Sequence, residues 1–278
     1  MSSTPAASPP RDARQLSAFE VVPGQLVAVG GALPLDGRLS WAPPDATGFQ
    51  PTNAYLLLRD GKPLIVNPGI AFVGPGVAAG LRTYLPDGAE VDLFISRSGF
   101  DSVGNVGVIA EHFQLRRAHT GGSFNPFDAF GAAGQIDDRT NWLEIERSPE
   151  DSALEIIHAS LRLLNTYWAY DEPTKTLFTS DAFSHATIND LSEPRIITRT
   201  EDDPTTPADV KAYLLATFPW FNDRPVTAPI VAGLQDVFES HDVETIAPDR
   251  GCVLHGADVV ATHVEMMTAA LREVARDV

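Results

Sequence analysis

Seven histidines, one cysteine and a scatter of aspartates and arginines are the residues of this 278-residue sequence that could do chemistry. Imidazoles that chelate a metal from one helix or strand come as H-x-H or H-x-x-x-H pairs. His112, His119, His158, His185, His241, His255 and His263 are never closer than seven residues to one another, so no local segment chelates. Cys252 lies in a Val and Leu context with no histidine beside it to draw off its proton, which reads as a small buried apolar residue and not a nucleophile. No serine sits in a G-x-S-x-G turn and no phosphate-binding loop is present. Any chemistry must be assembled from segments far apart in sequence.

The elements decide which segments meet. Gln25 to Val29 is a short apolar run after Pro23-Gly24, and Asn53 to Leu58 and Leu64 to Asn67 flank the turn Arg59-Asp60-Gly61-Lys62, which predicts a hairpin. Val91 to Ile95 reads as a strand. Val103, Val106, Ile109, Ala110 and Phe113 then fall at helical spacing, leaving a strand, a loop and a helix in order. Such a loop is where α/β enzymes keep their chemistry. The second half repeats the scheme with Leu154 to His158, Tyr167 to Tyr170 and Thr176 to Thr179. Three helices follow: Ala208 to Phe218 behind the N-cap Thr206 and Pro207, Ala228 to Glu239 behind Thr227, and Asp258 to Arg276 with Val259, His263, Met266, Met267, Ala270, Leu271 and Val274 on one face. Strands then helices, twice over, predict two halves packed sheet to sheet.

Five segments, in this order, resemble the metallo-β-lactamase fold superfamily, and within it the diiron domain of flavodiiron and oxygen-binding diiron proteins. Thr52-Asn53-Ala54-Tyr55-Leu56 with Ile65-Val66-Asn67-Pro68-Gly69 is similar to the opening hairpin and its Asp-Thr-Gly turn. Ser96 to Asn105 resembles the metal loop T-H-x-[HE]-x-D-H-x-G, and His158-Ala159-Ser160-Leu161-Arg162 stands at the H-T-P-G-H turn. Tyr170-Asp171 through Leu177-Phe178-Thr179-Ser180-Asp181-Ala182-Phe183 is close to Y-D-x-x-T-K-x-L-F-x-x-D-A-F, the most specific piece. Thr245 to Gly251 fits I-x-P-S-H-G. The resemblance implies an αββα sandwich over residues 18–278, behind a Ser-, Pro- and Ala-rich tail at residues 1–17 that has no apolar period.

The resemblance also implies a dimetal site, and the residues at its ligand places are Arg97, Gly99, Asp101, Ser102, Arg162, Asp181 and Arg250. Two aspartates remain. Arginine stays a cation and cannot ligate a metal, so no metal and no cofactor is expected at this site. His158 and His185, each beside one of these segments, are the candidates for a site rebuilt from scattered histidines. If Arg97, Arg162 and Arg250 converge with Asp101 and Asp181, three cations face two anions. Two guanidinium groups about 6 Å apart repel by about 3 kcal/mol at an effective dielectric near 20, so something anionic must answer them. Either the aspartates, helped by Glu111 or Asp249, close the network, or the spare charge holds a small anionic ligand through the bidentate fork of arginine. Ser102 belongs to the same candidate ligand-binding set.

Twenty Lys and Arg against 37 Asp and Glu give a net charge of −17, which repels nucleic acid and anionic membranes alike. One cysteine allows no intrachain disulfide, and nowhere do enough apolar residues follow one another to cross a membrane or form a signal-peptide core. A cytoplasmic location is expected. No flavin-binding segment follows the last helix, so electron transfer through FMN is not expected within this chain. A homodimer is expected, with Phe218 to Phe221 and Met266-Met267 at its interface, and Gly121 to Phe127 is a candidate cover for the pocket. These readings point to a metal-free, repurposed member of the fold whose former dimetal pocket is inert or takes a small anion. The alternative is an enzyme, either metal-independent with an Arg/Asp acid–base site or a metallohydrolase or diiron oxidoreductase with rebuilt ligands.

Overall fold

The structure, a computed structural model, describes residues 14–276 except 60, 98, 121–135, 142–153 and 164. Two sheets stack in it. The first runs β1 (Arg14–Val22), β2 (Leu26–Pro34), β3 (Phe49–Leu57), β4 (Leu64–Val66), β5 (Glu90–Ile95), β6 (Gln114–Thr120) and β7 (Ile136–Asn141), in that spatial order. The second is built from β8 (Glu155–His158), β9 (Tyr167–Asp171), β10 (Thr176–Ser180), β11 (Ile196–Ile197), β12 (Thr245–Pro248) and β13 (Val253–His255), ordered β11-β13-β12-β10-β9-β8.

Period-two alternation makes both sheets amphipathic on two apolar faces. Along β3, Tyr55 and Leu57 point to the inter-sheet core with Phe178 and Ala247, while Ala54 and Leu56 point outward with Val27, Val29 and Ile65. The outer face of the first sheet is covered by α1 (Gly74–Tyr84), α2 (Phe100–Val103) and α3 (Val106–Ala110) through Val77, Leu81, Val103 and Ile109. That of the second, carrying Trp168, Leu177, Ile246 and Leu254, is covered by α4 (Pro207–Thr217), α5 (Ala228–Ser240) and α6 (Ala257–Glu273). The result is an αββα sandwich, as the sequence predicts.

Local sequence accounts for most boundaries. Thr206 caps α4 in a capping box in which its hydroxyl accepts from Asp209 N while Asp209 Oδ2 accepts from Thr206 N at 2.9 Å. Thr227 makes no such bond ahead of α5. The helix expected over Val103 to Phe113 is instead broken at Gly104-Asn105. Buried Asn105 turns its amide onto the carbonyls of Pro68 and Ile70, both at 2.9 Å, tying the break to the end of β4. The expected tail ends earlier: β1 starts at Arg14 and pairs antiparallel with β2, while residues 1–13 lie outside the described residues. The Gly121 to Phe127 segment also lies outside them. Helix α1 has no counterpart in the sequence reading, because Gly74, Pro75, Gly76 and Gly80 give it poor helix propensity. Its glycines serve packing: a Cβ at Gly80 would stand 2.8 Å from Val29 Cγ1.

The expected interface residues are mostly core. Phe218, Phe221 and Met267 are buried under the second sheet, Met266 is half-buried, and Pro219 and Trp220, the latter 45% exposed, face out. Among the described residues, no helix is long and apolar enough to cross a membrane.

Candidate functional site

Parallel pairing of β4 with β5 and of β10 with β12 brings the C-terminal ends of all four strands to one edge of the sandwich. Four connections emerge there: Asn67–Gly69, Ser96–Asp101, Ser180–Phe183 and Asp249–Gly251. Strand β3 locks them across the sheets. Asn53 Nδ2 donates to the carbonyls of Pro248 (3.1 Å) and Gly251 (2.8 Å), Tyr55 OH donates to Pro248 O (2.7 Å), and Thr52 bridges to Arg250. The turns are strained. Asn67, Ser180 and Phe183 all have positive φ (49°, 52° and 61°), a conformation costly for residues with a Cβ and most of all for a bulky one.

Within that edge Arg97, Asp101, Asp181 and Arg250 form a closed square. Arg250 donates from Nη2 to Asp181 Oδ1 (2.5 Å) and from Nη1 to Asp101 Oδ2 (2.6 Å). Arg97 donates from Nη2 to Asp101 Oδ2 (2.5 Å) and to Asp181 Oδ1 (3.0 Å), with its Nε 2.9 Å from Asp181 Oδ2. Each arginine therefore bridges both aspartates. Asp181 and Arg250 are almost sealed, and Arg97 and Asp101 sit at the rim, 12% and 20% exposed at the side chain. The indole of Trp41 lies over the Arg250 guanidinium at 4.7 Å, held by its Nε1 donating to Gln50 Oε1.

A third carboxylate sits one layer deeper. Asp249 accepts from Asn67 Nδ2 (2.6 Å), Ser102 Oγ (3.2 Å) and Ser180 Oγ (3.1 Å). Burial, and next the neighbouring Asp181 charge, push its pKa up to about 6. Burial works against the charged forms of Arg97 and Asp101 as well, but there the partners win: Asp181 and Asp101 hold the Arg97 pKa above its usual value, and Arg250 and Arg97 hold Asp101 below.

Five of the six sequence-predicted site residues are thus together: Arg97, Asp101, Asp181 and Arg250 in the square, and Ser102 on Asp249. Arg162 is not. It is exposed on the loop after β8 and takes no part in the square's bonds. Glu111 is exposed at the end of α3 and also stays out. The local count changes sign as a result, from three cations and two anions to two cations and three carboxylates. Asp249 was visible in sequence as an aspartate where the I-x-P-S-H-G pattern has serine; Trp41, in the aperiodic β2–β3 connection, left no signal. The histidines do not rebuild a metal site there. His158 is exposed on β8, stacked edge-on against Tyr167, and His185 is buried elsewhere, against His263. No group of three metal-binding side chains occurs among the described residues.

With two stacked sheets, helices on both outer faces and the site at the strand ends, the fold is of the metallo-β-lactamase type. It is similar to that of flavodiiron proteins. The rubredoxin:oxygen oxidoreductase of Desulfovibrio gigas superposes with a TM-score of 0.66 at 17% identity, covering 92% of this chain and 62% of that one. A variant of the flavo di-iron protein of Thermotoga maritima gives 0.64 at 13% identity over 93% and 62%, and the chemotaxis sensor ODP of T. denticola 0.59 at 12% over 91% and 93%. The chain thus spans less than two thirds of the length of the first two. No protein-family profile and no curated protein sequence matches it.

The side chains present do not fit the dimetal centre that this fold implies. A dinuclear site needs imidazoles and free carboxylates. Here rim Asp101 and sealed Asp181 are both taken up by guanidinium groups, and at Gly99, another ligand place that the resemblance implies, even a Cβ would stand 2.4 Å from Arg97 Nη1 and 2.6 Å from Asp101 Oδ1. Arg97 fills the volume a ligand side chain would need.

Proposed function

We propose that this chain is a metal-free, repurposed flavodiiron-type domain, a pseudoenzyme in which a closed Arg–Asp network replaces the dimetal centre as the structural tie between the two sheets. The observation that carries this reading is the insertion of Arg97 and Arg250 between Asp101 and Asp181, the two carboxylates left at the ligand places. A doubly bridged square of this kind holds its geometry because removing any corner leaves one buried charge without its counter-charge.

The charge balance supports the closed network over the anion-binding version. With Arg162 outside and Asp249 inside, the edge carries no spare cation, and an added phosphate or carboxylate would meet Asp101 at the rim. The domain then works as a binding or interaction module in the cytoplasm, where its single thiol, buried Cys252, has its pKa pushed up to about 12 by burial and stays unreactive.

The test is metal analysis of protein purified without chelator, with melting temperatures measured before and after adding Fe(II), Zn(II) or Mn(II). The reading requires substoichiometric metal and no upward shift. Two equivalents of bound iron or zinc, retained through dialysis and lost in Asp181→Ala, would overturn it.

A further inference from the structure

A second constellation lies apart from the arginine network, between the second sheet and its helices. Asp203, His263 and His185 form a buried chain. Asp203 Oδ2 lies 2.8 Å from His263 Nε2, and His263 Nδ1 lies 2.8 Å from His185 Nε2, with the two rings nearly coplanar at 16°. His263 is fully buried and His185 2% exposed. The chain ends at His185 Nδ1, which is buried and has no hydrogen-bond partner among the described residues. His185 also lines a groove of about 470 Å³, bounded by Pro43, Asp45, Ala208, Asp209 and Tyr213. The hydroxyl of Tyr213, 5% exposed, is a second buried polar atom with no partner. These two unpartnered buried polar atoms belong to residues of one groove wall, and a buried polar group gains stability when it finds a partner.

We infer that this groove is a binding site for a small, uncharged or cationic molecule bearing hydroxyl or amine donors, with His185 Nδ1 and Tyr213 OH as its buried recognition groups. The donor sense of the chain sets the ligand class. In the tautomer in which His263 Nε2–H donates to the Asp203 carboxylate and His263 Nδ1 accepts from His185 Nε2–H, His185 Nδ1 is left as a pure acceptor. Burial, followed by the neighbouring His263, pulls the His185 pKa down to about 3, so His185 does not become a cation that would draw an anion. Exposed Asp45 and Asp209 at the rim repel anions further. Both recognition atoms are sealed from water, so the ligand engages them with a side-chain adjustment, converting two unpaired groups into paired ones. The volume suits a molecule up to the size of a monosaccharide or an amino alcohol.

The experiment uses the full chain at pH 8, with side-chain nitrogen NMR of the histidines and titration of glycerol, glucose and ethanolamine, and acetate as the anionic control. The free protein should show His185 protonated at Nε2 and bare at Nδ1. At least one neutral or cationic probe should shift the His185 Nδ1 resonance, and acetate should not. Tyr213→Phe removes a hydroxyl with no partner in the free protein, so its melting temperature should hold or rise while the affinity for that probe falls about tenfold, the worth of one hydrogen bond. The assignment is overturned if no probe moves His185 at millimolar concentration, if acetate binds as well as the others, or if Tyr213→Phe binds the probe unchanged. A fall in its melting temperature would also overturn it, because the hydroxyl would then have a structural partner.

Discussion

Arg250 and Asp181, 69 residues apart in sequence, meet through Nη2 and Oδ1 at 2.5 Å in a part of the molecule where both side chains are at most 5% exposed. Neither tolerates solitude there. Arg250→Ala should cost about 3 to 5 kcal/mol, because it leaves two carboxylates to share the single guanidinium of Arg97, one buried charge short of balance. Denaturant unfolding measures this directly. Adding Asp181→Ala to that variant should cost far less than Asp181→Ala alone, giving a coupling of about 2 kcal/mol. Additive losses would mean that the pair does not act as a unit.

Gly99 gives a second test from space alone. Its φ is −78°, so the backbone asks for no glycine; the guanidinium of Arg97 does, by filling the volume beside it. Gly99→Ala should destabilise by about 1 to 3 kcal/mol through overpacking. Gly107→Ala, in α3 with nothing within 4 Å of its would-be Cβ, should instead stabilise by about 0.5 to 1 kcal/mol through helix propensity. Thermal melts of the two variants moving in the same direction would contradict this account of the site.

Asp249 predicts a pH dependence. Its folded pKa is raised to about 6 against an unfolded value near 4, so the folded state binds the extra proton between those values. Stability from this group is highest below about pH 4 and falls as pH rises toward 6. Asp101, held below its usual pKa, contributes the opposite trend at lower pH, so the comparison must be made against a variant. Asp249→Asn removes the charge, keeps an acceptor oxygen for Asn67 and turns an NH2 donor toward the hydroxyl oxygens of Ser102 and Ser180, which can rotate to accept. It should be more stable than the parent at pH 7.5, by up to about 3 kcal/mol, with the difference vanishing near pH 4. A pH-independent difference would show that Asp249 does not hold the proton.

Arg162 separates the closed network from an anion site. Exposed and outside the square, it should be replaceable by alanine within about 0.5 kcal/mol. Phosphate should raise the melting temperature of Arg162→Ala by the same increment as the parent, since only general exclusion of the anion from the surface acts on both. A phosphate response present in the parent and missing in the variant would restore Arg162 to a binding site.

What was legible in the sequence follows physical lines. Strands with a short continuous apolar run, such as Asn53 to Leu58, and helices with a cap, such as Ala208 to Phe218, stand where their patterns put them. Helix α1 does not announce itself, because its glycines are chosen for close approach to β2 at the expense of helix propensity. Four corners of the site were readable because motifs hold Arg97, Asp101, Asp181 and Arg250 at strand ends that parallel pairing must bring together. Arg162 misled because a turn's sequence does not fix the direction in which it leaves the sheet. Neither the Trp41 cover nor the His185–His263 pair, 78 residues apart, follows any local period; both are products of the tertiary packing.

Metal-dependent thermal stability tests the central claim most directly. A ligand that binds only the folded state adds RT ln(1 + [L]/Kd), about 2.7 kcal/mol at a hundredfold excess over Kd. With Arg97 and Arg250 holding both Asp101 and Asp181, Fe(II), Zn(II) and Mn(II) should leave the melting temperature of the full chain unchanged, and elemental analysis should find well under one metal per chain. A clear upward shift with any of the three, accompanied by two bound equivalents and abolished by Asp181→Ala, would contradict the account.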